Sequence, residues 1–452
     1  MTLDLGIWNF QRKLVPVPSY AAFLGHQPHV SLAELRAAIP AFHLQRMIGS
    51  VALFDTTKEL LPSLLLSLGG TVLLAEENPE RSPSLQKVPD ILRNAVASVK
   101  GKVTFGLRCI GLPSGRIRTL YRECKDSLQH TGRHCRYIGN DRQPAHTALL
   151  RDSGVLDGRH GIELVLLVED EHLWCGKTIA AQNPTSYAQR DIGKPARDLR
   201  AGILPPKLAQ MMLNLGEWLL REQRSHPLPP HPHPNPNPLL PLRSASYGGQ
   251  AWGEGIIVLD PFSGSGVIPV ECLLRGWMVI ASDSSQKAVD ACKRNIDWLR
   301  RTFTIPAAKI PSSVSKHNAL KPFDFSHIRD ERLRPGPTFI VTETSLGPSL
   351  RTRPPAQEAK KLRTENESLQ IAFLRTVTSS IPGIPIVCTW PVWYLRTGPL
   401  FLEKVWKEIE HIGLEAVLPP DTPPSSPLRP TLLYRRPDQY VGREIVLLRS
   451  RK

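Results

Sequence analysis

Apolar residues recur along the chain in two rhythms, broken by proline. Runs of strand length stand at "YAAFLG" (20–25), "SVALFDT" (50–56), "GIELVLLVED" (161–170) and "LWCGKTIAAQN" (173–183). Their alternating or continuous apolar pattern predicts β-strands. A helical rhythm appears in "SLAELRAAI" (31–39), with Ser31 as the expected N-cap, and another helix is expected after "SVALFDT". Pro205 and Pro206 can open a further helix with Leu208, Met211, Met212 and Leu215 on its apolar face. Two proline-rich stretches, "HPLPPHPHPNPNPLLPLRS" (226–244) within an insertion at about 224–247, and "LPPDTPPSSPLRP" (418–430), are expected as loops. Metal binding by His226, His231 and His233 of the first is not expected, because no acidic or cysteine partner accompanies them.

The alternation of the two rhythms predicts an α/β protein, and 452 residues predict two or three domains. Residues 1–90 read as a small α/β unit, residues 91–185 as a second unit closed by the strands at 161–183, and residues 186–452 as a third.

Charge adds a partner to this picture. Lys and Arg number 57 against 41 Asp and Glu, a formal charge of +16, which favours a polyanion: nucleic acid first, an anionic membrane surface second. The apolar run "LLPSLLLSLGG" (60–70) falls short of the roughly 18 to 20 residues a span needs, so no membrane partner is expected. Seven cysteines, an odd number with no Cys-x-x-Cys spacing, suggest neither a zinc site nor a disulfide framework. Together with the lack of a recognisable signal peptide, they lead to the expectation of a cytoplasmic protein without a metal. The basic residues are densest in 100–159, where 12 Lys or Arg stand against 5 acids. Arg116, Arg118, Arg122, Lys125, Arg133 and Arg136 are the candidates for phosphate contacts, each of which would release counterions. A solvated helix face is the alternative for any one of them.

The most specific segment is "GIIVLDPFSGSGVIPVECLLRGWMVIASDSS" (255–285), a strand, a glycine turn, a helix and a second strand ending in an acid. Such a turn lets backbone amides approach a ligand, and the helix N-terminus adds partial positive charge. Asp283, 17 residues after Gly266, is placed to take the hydroxyls of a ribose. The pattern Asp260-x-Phe262-x-Gly264-x-Gly266 fits S-adenosylmethionine better than a dinucleotide, whose third glycine is replaced here by Pro269. A Rossmann-like unit that keeps its turn for packing alone is the alternative.

With "RDIGKPARDLRAGILPPKLAQ" (190–210), "SLGGTVLLAE" (67–76) and "YVGREIVLL" (440–448), this segment resembles the THUMP-associated RNA methyltransferases, and among them the tRNA guanosine N2-methyltransferase branch. The resemblance implies a ferredoxin-like N-terminal unit and a THUMP-like RNA-binding domain ahead of a Rossmann-like class I methyltransferase domain. It implies S-adenosylmethionine as cofactor, with Asp260, Gly264 and Gly266 at its methionine portion, Asp283 at its ribose and Asn318 of "SKHNAL" in the adenine slot. It also implies a structured RNA, most naturally tRNA, as partner.

The family's D-P-P-Y-G motif falls here on "ETSLG". In that motif the acid and the following carbonyl accept hydrogen bonds from an exocyclic amine, and the ring stacks on an extruded base. Glu343 replaces the aspartate, Thr344 and Ser345 the prolines and Leu346 the ring, while Gly347 is kept. The loop is therefore expected to have lost its φ restraints. Trp390, Trp393 and Tyr394, in a loop after a late strand, could stack on the base instead, or pack internally. Glu343 either still orients a guanosine amine, or marks a relic in a non-catalytic RNA-binding protein; an amino-methyltransferase of DNA is the third possibility.

Overall fold

The computed structural model describes residues 18–80, 83–197, 203–225, 255–348, 350, 352–426 and 428–451, and in it the apolar runs become strands of two sheets. The first contains β1 (Ser19–Leu24), β2 (His43–Ile48), β3 (Val51–Asp55), β4 (Thr71–Glu77), β5 (Val103–Ile110), β6 (Cys135–Ile138), β7 (Gly161–Glu169) and β8 (His172–Ala181), in the order β2-β3-β1-β4-β8-β7-β5-β6. The expected border at residue 90 therefore does not separate two sheets. It falls inside the helix Val88–Ala95, and β4 pairs with β8 across it.

In this part of the chain the described residues form the α-helices α1 (Pro28–Ala38), α2 (Val88–Ala95), α3 (Ser114–His130), α4 (Thr147–Asp152) and α5 (Pro184–Asp191). Ser31 is not the cap of α1. Pro28, pre-set for the first helical position, starts the helix three residues earlier, and the Ser31 hydroxyl donates back to the Gln27 carbonyl at 3.0 Å. The segment after β3 makes a 3₁₀ turn, Pro62–Leu66, in place of the expected α-helix.

The second sheet holds β9 (Ile257–Asp260), β10 (Met278–Asp283), β11 (Ser312–Lys316), β12 (Phe339–Glu343), β13 (Ile386–Leu395), β14 (Gly398–Leu400), β15 (Leu414–Ala416), β16 (Leu432–Tyr434) and β17 (Val441–Ser450). Its path β11-β10-β9-β12-β13-β17-β15 is parallel as far as β13, and β17 enters antiparallel. The third, second, first, fourth and fifth strands thus stand side by side, a doubly wound arrangement whose order reverses between β9 and β12. With it go α6 (Pro206–Ser225), α7 (Val267–Leu274), α8 (Gln286–Thr302), α9 (Ala356–Ser380) and α10 (Glu403–Glu408). Among the described residues no helix is long and apolar enough to cross a membrane. The Pro/His-rich insertion, with His226, His231 and His233, lies outside the described residues. The loop at 418–430 is tied down by Arg429, whose guanidinium is 2.5 Å from Glu403 and lies over the rings of Phe401 and Trp406.

α6 joins the two halves. Leu208, Met211, Met212 and Leu215 are all buried as expected, but so is most of the remaining surface of the helix, because α1 covers one side and β12, β13 and β17 another. The chain approaches α6 closely at Gly69, where a Cβ would fall 1.9 Å from the Lys207 carbonyl oxygen. The N–H groups of Gly69 and Gly70 donate to the two oxygens of Glu34, at 2.8 and 2.7 Å, and Asn214 of α6 donates to the same carboxylate at 2.6 Å. Arg275 completes the seam by donating to Asn214 (2.6 Å), to the Ser67 carbonyl (2.7 Å) and to the Gln210 carbonyl (3.1 Å). The segment "SLGGTVLLAE" thus has a structural role: its glycines let the first unit lie directly on α6.

Burial pushes the Glu34 carboxyl up to about 7, against the pull of the Gly69 and Gly70 amides, Asn214 and Arg275. The native protein therefore holds this proton more tightly than the unfolded chain, and the group's contribution to stability falls as pH rises from 4.5 to about 7. Glu34→Gln supplies one acceptor where two backbone amides need one each, and should lower stability by about 1–3 kcal/mol. Urea unfolding at pH 5 and pH 8 checks both points: the variant should be less stable and should lose part of the pH dependence.

Candidate active site

The glycine turn follows β9 and leads into α7. Gly264 and Gly266 have φ of +50° and +83°, a region that costs other residues energy, and a Cβ on Gly266 would also meet the Cys292 sulfur at 2.6 Å. The turn is held from outside: Gly264 N–H donates to Asp283 Oδ2 (3.0 Å) and Ser263 N–H to the Ser282 carbonyl (2.9 Å). Asp283 also takes the Ser285 N–H on Oδ1 at 2.9 Å. Asp260, at the end of β9, is buried; Thr342 of β12 donates to its Oδ1 at 2.7 Å, and its carboxyl is pushed up to about 7, chiefly by burial. Phe262 sets its ring edge-on to Phe373, with centroids 5.1 Å apart.

Beside this turn, across the point where strand order reverses, lies a cavity of about 660 Å³, within the usual range of roughly 300–1,000 Å³ for small-molecule sites. Asp260, Phe262, Gly264 and Asp283 line it together with Glu343 and Gly347, so the structure brings the expected cofactor residues and the expected catalytic residues into one space. Gly266 stands at the base of the turn, behind the lining. Asn318 is not brought in: it is exposed after β11, its Oδ1 accepts the Leu320 N–H at 3.0 Å, and it does not line the cavity.

Glu343 is the last residue of β12 and is not a free carboxylate. Its Oε1 accepts from Nε of Arg443 at 2.5 Å, with the two side chains 11% and 4% exposed. Arg443 reaches it from β17, and its Nη2 is 3.4 Å from the carbonyl of Ile203, another lining residue. Oε2 has no hydrogen-bond partner among the described residues. The loop after Glu343 keeps its restraint by other means than proline. The Thr344 hydroxyl donates to the Thr389 carbonyl (2.6 Å) and accepts from Gln370 (2.8 Å), and Gly347 N–H donates to Ser345 Oγ (3.3 Å).

The three rings expected as replacements for the missing aromatic are engaged elsewhere. Trp390 and Trp393 belong to β13, not to a loop, and both are fully buried. Tyr394 is half-buried, with Arg435 over its ring at 3.9 Å and Gly442 against its edge.

The six basic candidates do not form one patch. Arg133 donates to the carbonyls of Val96, Ala97 and Val99 and so closes the end of α2. Arg136, on edge strand β6, faces away from α3, since its neighbour Tyr137 stacks on Tyr121 of that helix. Arg116 pairs with Glu123 at 3.2 Å. Arg118, Arg122 and Lys125 remain, exposed and spaced i, i+4, i+7 along α3, opposite the buried Leu120, Cys124 and Leu128. Arg118 is additionally paired with Asp141 at 2.5 Å.

Arg443, Thr342 and Gln370 were not anticipated from the sequence. A signal for the first was present, because Arg443 and Glu444 are charges in the middle of an apolar strand, and a buried charge needs a partner. Arg443→Met should strand the Glu343 carboxylate and lower stability by about 3–5 kcal/mol. The double variant Glu343→Gln/Arg443→Met should recover most of that loss, and a double-mutant cycle by urea unfolding measures the coupling.

Residues 245–325 match the family model described as Conserved hypothetical protein 95. No curated protein matches the sequence. Among solved structures, TrmN from Thermus thermophilus is 15% identical over 96% of this chain and 99% of its own, with a TM-score of 0.46. A "possible methylase" from Clostridium difficile 630 is 8% identical over 96% and 98%, with a TM-score of 0.42. A tRNA (uracil-54, C5)-methyltransferase from Pyrococcus abyssi, in complex with S-adenosyl-L-homocysteine, is 13% identical over 43% and 34%, with a TM-score of 0.26. The chain itself has one α+β sheet unit, where its sequence resemblance to the THUMP-associated class I RNA methyltransferases implied two, ahead of a doubly wound, Rossmann-like unit with its cavity at the switch of strand order.

Proposed function

We propose that this protein is an S-adenosylmethionine-dependent methyltransferase acting on an exocyclic amino group of structured RNA, with guanosine N2 in tRNA as the acceptor. The observation that carries the reading is the shared cavity: the glycine turn, Asp260 and Asp283 on one side and Glu343 on the other line a single space at the switch point of the sheet. The cofactor supplies an electrophilic methyl group. The acceptor nitrogen is itself the nucleophile, so the protein's work is to position it and to accept the proton it loses.

Glu343 Oε2 and the main-chain carbonyl that follows are suited to accept the N–H bonds of a neutral amine, while Arg443 balances the charge of the carboxylate. Phosphate contacts fall to the exposed face of α3, at Arg118, Arg122 and Lys125. Seven free cysteines suit a cytoplasmic site of action.

Labelled methyl transfer to unmodified total tRNA, followed by nucleoside mass analysis, tests the reading. The wild type should form N2-methylguanosine, and Glu343→Ala should lose at least about 100-fold in kcat. Absence of transfer from a protein shown to bind both cofactor and tRNA would favour the non-catalytic RNA-binding alternative, and transfer to duplex DNA in preference to tRNA the DNA alternative. Arg122→Ala/Lys125→Ala should weaken tRNA binding, and should flatten the dependence of log K on log salt by about 1.5 to 2.

A further inference from the structure

The cavity has a wall that does not belong to the doubly wound unit. Pro195, Ala196, Arg197, Ile203 and Leu204 line it, and all five precede α6. Its residues up to Arg197 are fastened at two points. Arg190 of α5 makes a buried ion pair with Glu271 of α7 at 2.8 Å. Asn295 of α8, fully buried, accepts the Ala196 N–H at 2.9 Å and donates to the Ala196 carbonyl at 2.8 Å and the Ser265 carbonyl at 2.7 Å. One side-chain amide thus bolts the wall to the glycine turn and fixes the backbone on which Arg197 stands.

The charges at this end of the cavity are unequal to the proposed cofactor. Its amino-acid portion carries an ammonium and a carboxylate, whereas the strand end before the turn offers one acid, Asp260, and the turn has no cation of its own. Three cationic residues line the cavity: Arg197, Lys287 and Arg294. Lys287 is four residues beyond Asp283, at the ribose end. Arg294 is exposed on α8. Arg197 follows directly on the clamped Ala196, is exposed, and has no hydrogen bond or ion pair among the described residues. Close by in the chain, Lys194 is 5% exposed with no hydrogen-bond partner for its Nζ, and burial holds its ammonium below its ordinary value.

We propose that Arg197 recognises the carboxylate of the cofactor's amino-acid portion, and that Asn295 is the positioning residue that delivers it. The proposal rests on the reading of S-adenosylmethionine as methyl donor. The planar guanidinium fork matches a carboxylate in a way an ammonium cannot, so lysine is a poor substitute at this position.

Calorimetric titration of the full-length protein with S-adenosylhomocysteine, which has the carboxylate, and 5′-methylthioadenosine, which lacks it, tests the assignment without requiring catalysis. Arg197→Ala should weaken S-adenosylhomocysteine about 10- to 100-fold and leave methylthioadenosine within about twofold. Arg197→Lys should recover only part of the loss. Asn295→Asp, which keeps the acceptor for Ala196 N–H and loses both donors, should weaken S-adenosylhomocysteine in the same selective way. Equal loss for both ligands, no loss, or a selective loss at Arg294→Ala instead overturns the assignment while the methyltransferase reading stands. If the wild type binds S-adenosylhomocysteine and transfers no methyl group, the acceptor reading falls and the assignment is still decided by these titrations. If the wild type binds neither ligand, the donor reading and the assignment fall together.

Discussion

Two backbone N–H groups, at Gly69 and Gly70, need acceptors where water does not reach, and the Glu34 carboxylate supplies one oxygen to each. Much else is set by that requirement. Glu34 is on α1 and is also bound by Asn214 of α6, so the amides fix the distance between the first sheet and the helix that carries the second. α6 in turn packs on β12, the strand that ends in Glu343. A carboxylate that meets three N–H donors is costly to move, because any displacement leaves a buried donor unsatisfied.

The cavity concentrates acids, and the structure deals with each differently. Asp260 is buried beside Asp283 and Glu343, and its proton affinity rises in consequence. Asp283 spends an oxygen on each of two backbone amides. Glu343 receives a full counter-charge from Arg443. The pairing leaves the Glu343 end of the cavity without a net charge from this carboxylate. The loop after Glu343 holds its shape by separate bonds. Where the family motif relies on the fixed φ of proline, Thr344, Thr389 and Gln370 make a hydrogen-bonded staple.

Strand positions were legible because burial on both faces writes a continuous apolar run, as in "GIELVLLVED", and the glycine turn was legible because positive φ leaves few residue types to choose from. The pairing of β4 with β8 was not, since register between strands far apart in sequence leaves no local mark. The start of α1 was misplaced because a serine that looked like a cap stood three residues after a proline better suited to open the helix. At the site, Asp260, Asp283 and Glu343 could be found by their positions at strand ends, whereas Arg443 and Asn295 act across elements and are visible only once the chain is folded. The basic cluster misled in part, because a run rich in arginine does not say which of them, like Arg133, are consumed by carbonyl groups nearby.

The pairing of β4 with β8 also bears on how the chain reaches this state. Leu73 lies opposite Ala181, so the middle of the first sheet closes only after more than a hundred further residues have left the ribosome. Until then β4 presents an open edge to whatever strand is near, and such long-range pairings form slowly because loop closure must precede any gain from contact. The first sheet is therefore continuous only once β8, from the far end of its sequence, takes its place beside β4.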